Sequence, residues 1–496
     1  MTERARPDNG VISNMKEHKK RLYGRPVTCV WEVTMGCNMR CGHCGSSCAE
    51  PLKDELTNEE ALGLCEQLAE LGLKWVTLSG GEPTTRKDLP DLVRRLTQLG
   101  VSVNIITNGW LLNERLAQQL KESGAATVAI SIDGTGEIHD RVRRPGAFAH
   151  AEQAFAALKE AGITAGAVTT LTKVNLPILR ELKEELIRIG ADSWQVQLGL
   201  PMGNLKERPD WVLDPEQVRE VIDFCYETAK EGRIKIFPAD CIGYYSKKEM
   251  ETRRISFGAD RTAPWSGCSA GLHSFGVLHN GEILGCTSIR DREFIEGSIR
   301  ERPLREIWES EDAFRWSREL AKERLSGLCG SCAYGSRCLG GCPNTRLTMD
   351  GSIYGENKYC AYNLAMTQMK ERYERETDQK KLFETGDALV RAGYYQEGAA
   401  ALSRLLDLSP ESVEARLIRA YAEYRCGNYE KCLADNERVL DSEPENLDAL
   451  DGSATALFAM GEGERAIGRM RKAAAVPGVR QKEMQDNLRQ MEHAMA

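Results

Sequence analysis

Six short apolar runs mark the first half of the chain, at residues 27–34, 75–79, 101–107, 127–132, 164–170 and 193–198. They are rich in Val, Ile, Thr and Trp and too short for helices, so each is read as a strand. Between them apolar residues recur every three to four positions, at 58–71, 89–99, 113–123, 148–161, 177–189 and 215–230. That spacing belongs to helices with one buried face. Thr57 followed by Glu60 gives the first helix a capping-box start. Six alternations of strand and helix predict an α/β fold with a parallel sheet.

A different period takes over from Gln379, where the chain repeats every 34 residues. Gly386, Ala420 and Ala454 align, as do Gly393, Gly427 and Gly461, and Gly398, Cys432 and Ala466. Pro410 and Pro444 keep the same interval. Small residues in register let paired helices pack closely, and the glycine column marks the turn between them. Three such units are about the minimum for a stable stack, and residues 483–495 read as its closing helix.

A length of 496 residues suggests about three domains. The 41% hydrophobic and 28% charged content is that of a soluble globular protein. A net charge of −8 with no long basic tract argues against nucleic acid or an anionic membrane as partner. No run of about 18 apolar residues exists to span a bilayer, and residues 1–20 are polar, unlike a secretion signal. Seventeen cysteines in that context point to metal chemistry in a reducing, oxygen-poor cytoplasm.

The thiols are not scattered. Cys37-x3-Cys41-x2-Cys44 follows the first strand directly. Three thiolates on one loop can hold three irons of a [4Fe–4S] cube and leave the fourth open, a Lewis acid with room for an exchangeable ligand. Zinc usually takes four ligands in paired units, and with Cys48 as the fourth this spacing fits zinc poorly. Gly80-Gly81-Glu82-Pro83 follows the second strand, and Glu82 offers a carboxylate toward an ammonium group. Thr107-Asn108-Gly109 ends the third and Ser131-Ile132-Asp133-Gly134 the fourth; both also read as plain turns. Arg143 could bind a carboxylate bidentately or stand solvated.

A second series runs Cys268, Gly281-x4-Cys286, Cys329-x2-Cys332-x5-Cys338-x3-Cys342 and Cys360. In isolation its Cys329, Cys332, Cys338 and Cys342 would pass for a zinc ribbon. Cys29, Cys48, Cys65, Cys225, Cys426 and Cys432 read as buried small hydrophobes.

The run Met35-Gly36-Cys37-Asn38-Met39-Arg40-Cys41-Gly42-His43-Cys44 resembles the radical S-adenosylmethionine (SAM) enzymes. In that family the open iron chelates SAM, and one electron cleaves it to methionine and a 5′-deoxyadenosyl radical. The resemblance implies a partial (β/α)6 TIM-type barrel over 25–237, after an N-terminal arm at 1–24. It implies that Gly80, Gly81 and Glu82 meet the SAM amino group, that Ser131 and Asp133 face its ribose or carboxylate, that Arg143 pairs with the carboxylate, and that Gln197 and Leu198 line the adenosine pocket. The second cysteine series resembles the SPASM extension, a loop-rich domain expected over 238–377, with Cys329, Cys332, Cys338 and Cys360 holding one auxiliary [4Fe–4S] cluster. Cys268, Cys286 and Cys342 would hold the other, its fourth position open or filled by Cys241 or His273. Residues 378–496 resemble tetratricopeptide (TPR) repeats, an all-α solenoid.

Together these resemblances imply a peptide or protein maturase. It would use SAM and three [4Fe–4S] clusters, draw electrons from a flavodoxin or ferredoxin, and dock its polypeptide substrate on the repeats. The alternatives are a small-molecule enzyme like the haem-biosynthesis decarboxylases, or a sulfatase-type maturase. Relatives of the latter place an aspartate where this chain has Thr287.

Overall fold

The computed structural model describes residues 24–258 and 265–495, so the expected N-terminal arm lies outside the described residues apart from Gly24. The chain forms two compact units.

The first unit, residues 20–326 and 337–364, is built on one ten-stranded sheet. Its strands are β1 (Thr28–Glu32), β2 (Trp75–Ser79), β3 (Ser102–Thr107), β4 (Thr127–Ser131), β5 (Thr164–Leu171), β6 (Ser193–Leu198), β7 (Lys235–Pro238), β8 (Ser274–Val277), β9 (Glu282–Leu284) and β10 (Ile295–Ser298). The order is β10-β9-β8-β1-β2-β3-β4-β5-β6-β7. From β1 to β7 every neighbour is parallel, with helices Asn58–Leu71, Leu89–Gln98, Glu114–Ser123, Ala147–Glu160, Leu179–Ile189 and Val218–Glu231 in the crossovers. This is a mixed α/β fold consistent with a partial TIM-type barrel.

The six expected strands are joined by four that the apolar pattern did not single out. β7 extends the parallel series beyond β6. β8 pairs in parallel with the free side of β1, and the β9–β10 hairpin follows it antiparallel. These strands have only three or four residues, too few to carry a period. The capping box forms as read, the Thr57 hydroxyl accepting the Glu60 N–H and the Glu60 carboxylate accepting that of Thr57.

Strand alternation divides the sheet into two faces. Cys29, Trp31, Val76, Leu78, Val103, Ile105, Val128, Ile130, Trp194 and Val196 are buried in the core that includes the crossover helices. Burying each large side chain of this kind contributes about 1.5–3 kcal/mol. The registers Glu32↔Ser79, Thr77↔Asn104, Asn104↔Thr127, Ser131↔Val168 and Thr170↔Gln197 put the intervening residues on the opposite face. That face is polar and largely half-buried, as in Thr77, Asn104, Ser131, Thr170, Gln195 and Gln197. A sheet covered by helices on one side and polar on the other provides a concave site.

The second unit comprises residues 327–336 and the chain from 365 onward. Helices Gln379–Arg391, Tyr395–Leu408, Val413–Arg425, Tyr429–Ser442, Leu447–Ala459, Gly463–Ala475 and Gln481–Met495 each pack on the next. The aligned small residues sit at those contacts. A Cβ on Gly398 would lie 2.5 Å from Val390 and 2.9 Å from the Gly386 carbonyl, while Ala454 and Ala466 are fully buried. No helix among the described residues is long and apolar enough to cross a membrane.

Candidate active site

The loops at the carboxyl ends of β1 to β6 assemble one site. Immediately after β1 the cysteine loop is held at several points. Cys37 N–H donates to the Ala49 carbonyl at 2.7 Å, Gly42 N–H to Val142 at 2.9 Å, and Asn204 Nδ2 to the Cys41 carbonyl at 2.9 Å. Asn204 N–H also reaches the Cys44 carbonyl at 2.8 Å. The stretch after β6, Gly203-Asn204, therefore fastens the loop, a role the sequence reading did not assign. Its signal was a Gly-Asn pair a few residues beyond a strand.

Gly80 and Gly81 pack on the residues leading into that loop. Gly81 N–H donates to Thr34 O at 2.7 Å and Glu82 N–H to Gly36 O at 2.8 Å. A Cβ on Gly81 would sit 2.3 Å from the Gly36 oxygen, so no side chain fits there. Glu82 is 1% exposed. Its Oε1 accepts from Thr84 N (3.1 Å), Thr84 Oγ1 (2.5 Å) and Thr107 Oγ1 (2.6 Å), and its Oε2 from Asn108 N (2.7 Å). The carboxylate ties the second loop to the third. Burial raises its pKa, and these donors oppose the rise.

Asp133 is fully buried. Its carboxylate accepts from Arg143 Nε at 2.5 Å, His43 Nε2 at 3.0 Å and Thr170 N at 2.9 Å. Its backbone N–H donates to His139 Nδ1 at 3.0 Å. Burial alone would push the Asp133 carboxyl up, but Arg143 and then His43 outweigh it and hold the group well below the usual carboxylate range. Asp133 and Arg143 thus form a buried pair beside the cysteine loop, with His43, the residue before Cys44, on the same carboxylate. Ser131 and Gln197 lie on the polar sheet face, Gln197 Nε2 donating to Thr170 Oγ1 at 3.2 Å. Leu198 N–H donates to the Cys241 thiol at 3.3 Å.

None of the seventeen cysteines is in a disulfide. Cys37 and Cys41 are raised by burial, Cys41 to about 11, whereas a hydrogen bond from Cys48 pulls Cys44 well down. In the first unit Cys268, Cys286 and Cys342 influence one another, and Cys241 stands next to Cys342 electrostatically. His273 is exposed, and its carbonyl accepts Val27 N–H at 2.7 Å, at the opposite end of β1 from the cysteine loop. Cys338 and Cys360 share a small buried cluster with Tyr244. Cys329 and Cys332 lie in the second unit, and both are buried.

A local motif recurs at most of these thiols, in which a following backbone N–H points at the sulfur. Ala270 N–H reaches Cys268 at 3.4 Å, Tyr334 N–H reaches Cys332 at 3.4 Å, and Asn363 N–H reaches Cys360 at 3.5 Å. Amides of Met39, Ser46, Ser288 and Asn344 act likewise on Cys37, Cys44, Cys286 and Cys342. Hydrogen bonds to sulfur are what iron–sulfur ligands need for charge stabilisation. Cys29 and Cys225, deep in the core, are simply pushed up by burial. Among the described residues no three His, Cys, Asp or Glu side chains stand close enough together for one metal ion. A cube makes no such demand, because each thiolate takes its own iron. The donor set fits iron–sulfur clusters.

The sequence profile of the Radical SAM superfamily matches residues 31–189, and that of the SPASM iron–sulfur cluster-binding domain matches residues 268–333. An AdoMet-dependent heme synthase of Oleidesulfovibrio alaskensis is 33% identical over 67% of this chain and 86% of its own length. The mycofactocin maturase MftC of Mycobacterium ulcerans is 30% identical over 66% of this chain and 86% of its own. The crystal structure of Streptococcus suis SuiB bound to precursor peptide SuiA shares the fold, with TM-score 0.54 and 18% identity over 67% of this chain and 75% of that one. With its cysteine loop, Gly-Gly-Glu turn and second cysteine series in place, the chain belongs to the radical SAM superfamily with a SPASM domain, and is an enzyme that uses SAM, a [4Fe–4S] cluster and auxiliary iron–sulfur clusters.

Proposed function

We propose that this enzyme is a peptide or protein maturase. Cys37, Cys41 and Cys44 hold the SAM cluster. Cys329, Cys332, Cys338 and Cys360 hold one auxiliary [4Fe–4S] cluster, and Cys268, Cys286 and Cys342 the other, its fourth position open or filled by Cys241 or His273. When bound, cluster and SAM supply a carbon radical that takes a hydrogen atom from the substrate. The chain's own residues arrange the reactants. Gly80 and Gly81 leave room for backbone to approach the SAM amino group, and Glu82 holds their loop against Thr107 and Asn108. Asp133 fixes Arg143 for the SAM carboxylate, while Ser131 and Gln197 line the nucleoside side of the polar face. Buried walls keep water from the radical.

The observation that carries the maturase reading is the 34-residue helical repeat, which we read as a TPR solenoid occupying residues 378–496 and docking a polypeptide. SuiB, which shares the fold, binds a precursor peptide. A second reading, a heme-forming enzyme acting on an iron porphyrin, is favoured by the 33% identity to the heme synthase. Incubating the reduced enzyme and SAM with any short peptide encoded near its gene, and separately with iron coproporphyrin III, decides between them. A mass change in the peptide with no porphyrin turnover is the expected result. Porphyrin turnover with the peptide left unchanged establishes the second reading instead.

A further inference from the structure

Glu32 is the last residue of β1 and is on the polar face, in register with Ser79. Its side chain is 7% exposed. Oε1 is ion-paired with Arg290 Nη2. Oε2 is buried and has no hydrogen-bond partner among the described residues. Arg290 Nη2 also donates to Ser46 Oγ at 2.5 Å, and its Nη1 approaches Met35 Sδ at 3.9 Å. The pair therefore spans from the first cysteine loop to the segment after Cys286. That segment crosses the polar face, because a Cβ on Gly276, a β8 residue in register with Val30, would meet Thr287 at 2.8 Å. The Glu32 charge acts on both Cys44 and Cys286.

A buried carboxylate oxygen without a donor is costly, because desolvation goes uncompensated. An acceptor in that state, standing between the two cysteine sites, is complementary to an N–H or ammonium group and repels a carboxylate. Arg290 Nη2 is committed to Glu32 and Ser46, while Arg290 Nε is likewise buried without a partner among the described residues.

We propose that Glu32 Oε2 is a substrate-binding acceptor that takes a backbone or side-chain N–H of the peptide beside the residue to be modified. This rests on the maturase reading and adds to it a residue that holds the peptide.

The test is Glu32→Gln in the full-length, cluster-loaded protein with SAM. The Gln oxygen stays with Arg290, so its NH2 group faces the peptide N–H, donor against donor. Losing a hydrogen bond to a charged acceptor predicts a Kd for the gene-adjacent peptide at least ~10-fold weaker by anaerobic fluorescence titration. Iron content should stay as in the wild type, because the Gln oxygen keeps Arg290 in place on the cysteine loop. Equal peptide affinity in wild type and variant overturns the role of Glu32 and leaves the maturase reading standing. A fall in iron content shows that Glu32 only props the cysteine loop, which also overturns it. A wild type that binds porphyrin and no peptide overturns both proposals.

Discussion

Replacing Asp133 by Asn should destabilise the α/β unit sharply, and the size of the effect follows from the contacts. Three donors converge on this carboxylate, from Arg143, His43 and Thr170, and Arg143 is only 9% exposed. Asn has one acceptor oxygen and turns an NH2 group toward the remaining donors, leaving the guanidinium buried and uncompensated. Breaking a buried pair in this way costs about 3–5 kcal/mol. An unfolding entropy of about 2.1 cal/mol/K per residue makes this a fall of ~4–7 °C in the melting temperature of the unit spanning 20–326 and 337–364. Differential scanning calorimetry of the anaerobic, loaded protein would measure it. Adding Arg143→Met should recover part of the loss, because an apolar pair leaves no stranded charge. A melting temperature within 1 °C of wild type in Asp133→Asn would refute the account.

The same network sets an acid limit. His139 is pushed down to about 3, first by burial and then by Arg143, so below pH ~6.5 the unfolded chain takes up a proton that the folded one refuses. Stability should fall by up to ~1.4 kcal/mol per pH unit below that point, and a flat denaturation midpoint from pH 7 to 5 would contradict it. Changing Cys37, Cys41 and Cys44 together to Ala should lower iron from about 12 to about 8 per chain and abolish SAM cleavage; iron assay and chromatography of 5′-deoxyadenosine read both. Gly81→Ala drives a methyl into the Gly36 carbonyl and should weaken SAM binding at least ~10-fold by calorimetric titration. Gly63→Ala, with nothing within 4 Å, should leave binding intact and gain up to ~1 kcal/mol of helix stability.

Legibility tracked how locally each feature is encoded. The cysteine loop, the Gly-Gly-Glu turn and the Thr57–Glu60 cap are contiguous in the chain and could be read directly. β8 to β10 escaped because strands of three or four residues carry no period, and their place beside β1 is set by pairing across more than two hundred residues. Asp133 was legible as a polar residue ending a strand. Its partners come from the cysteine loop, the helix before Arg143 and β5, so its function as a hub emerges only on folding. Glu32 lies inside the first apolar run and carries no motif of its own, yet it continues the Thr28–Val30–Glu32 face, and that alternation is the signal for its place.

The parallel pairing of β8 with β1 has a mechanical consequence. The segment bearing Cys286 follows β9 and the loop bearing Cys44 follows β1, the two strands that flank β8 in one hydrogen-bonded sheet, so they share one rigid footing and cannot swing apart as tethered modules could. Differences in what the two segments accept would then come from exchanging their side chains, not from moving one segment against the other.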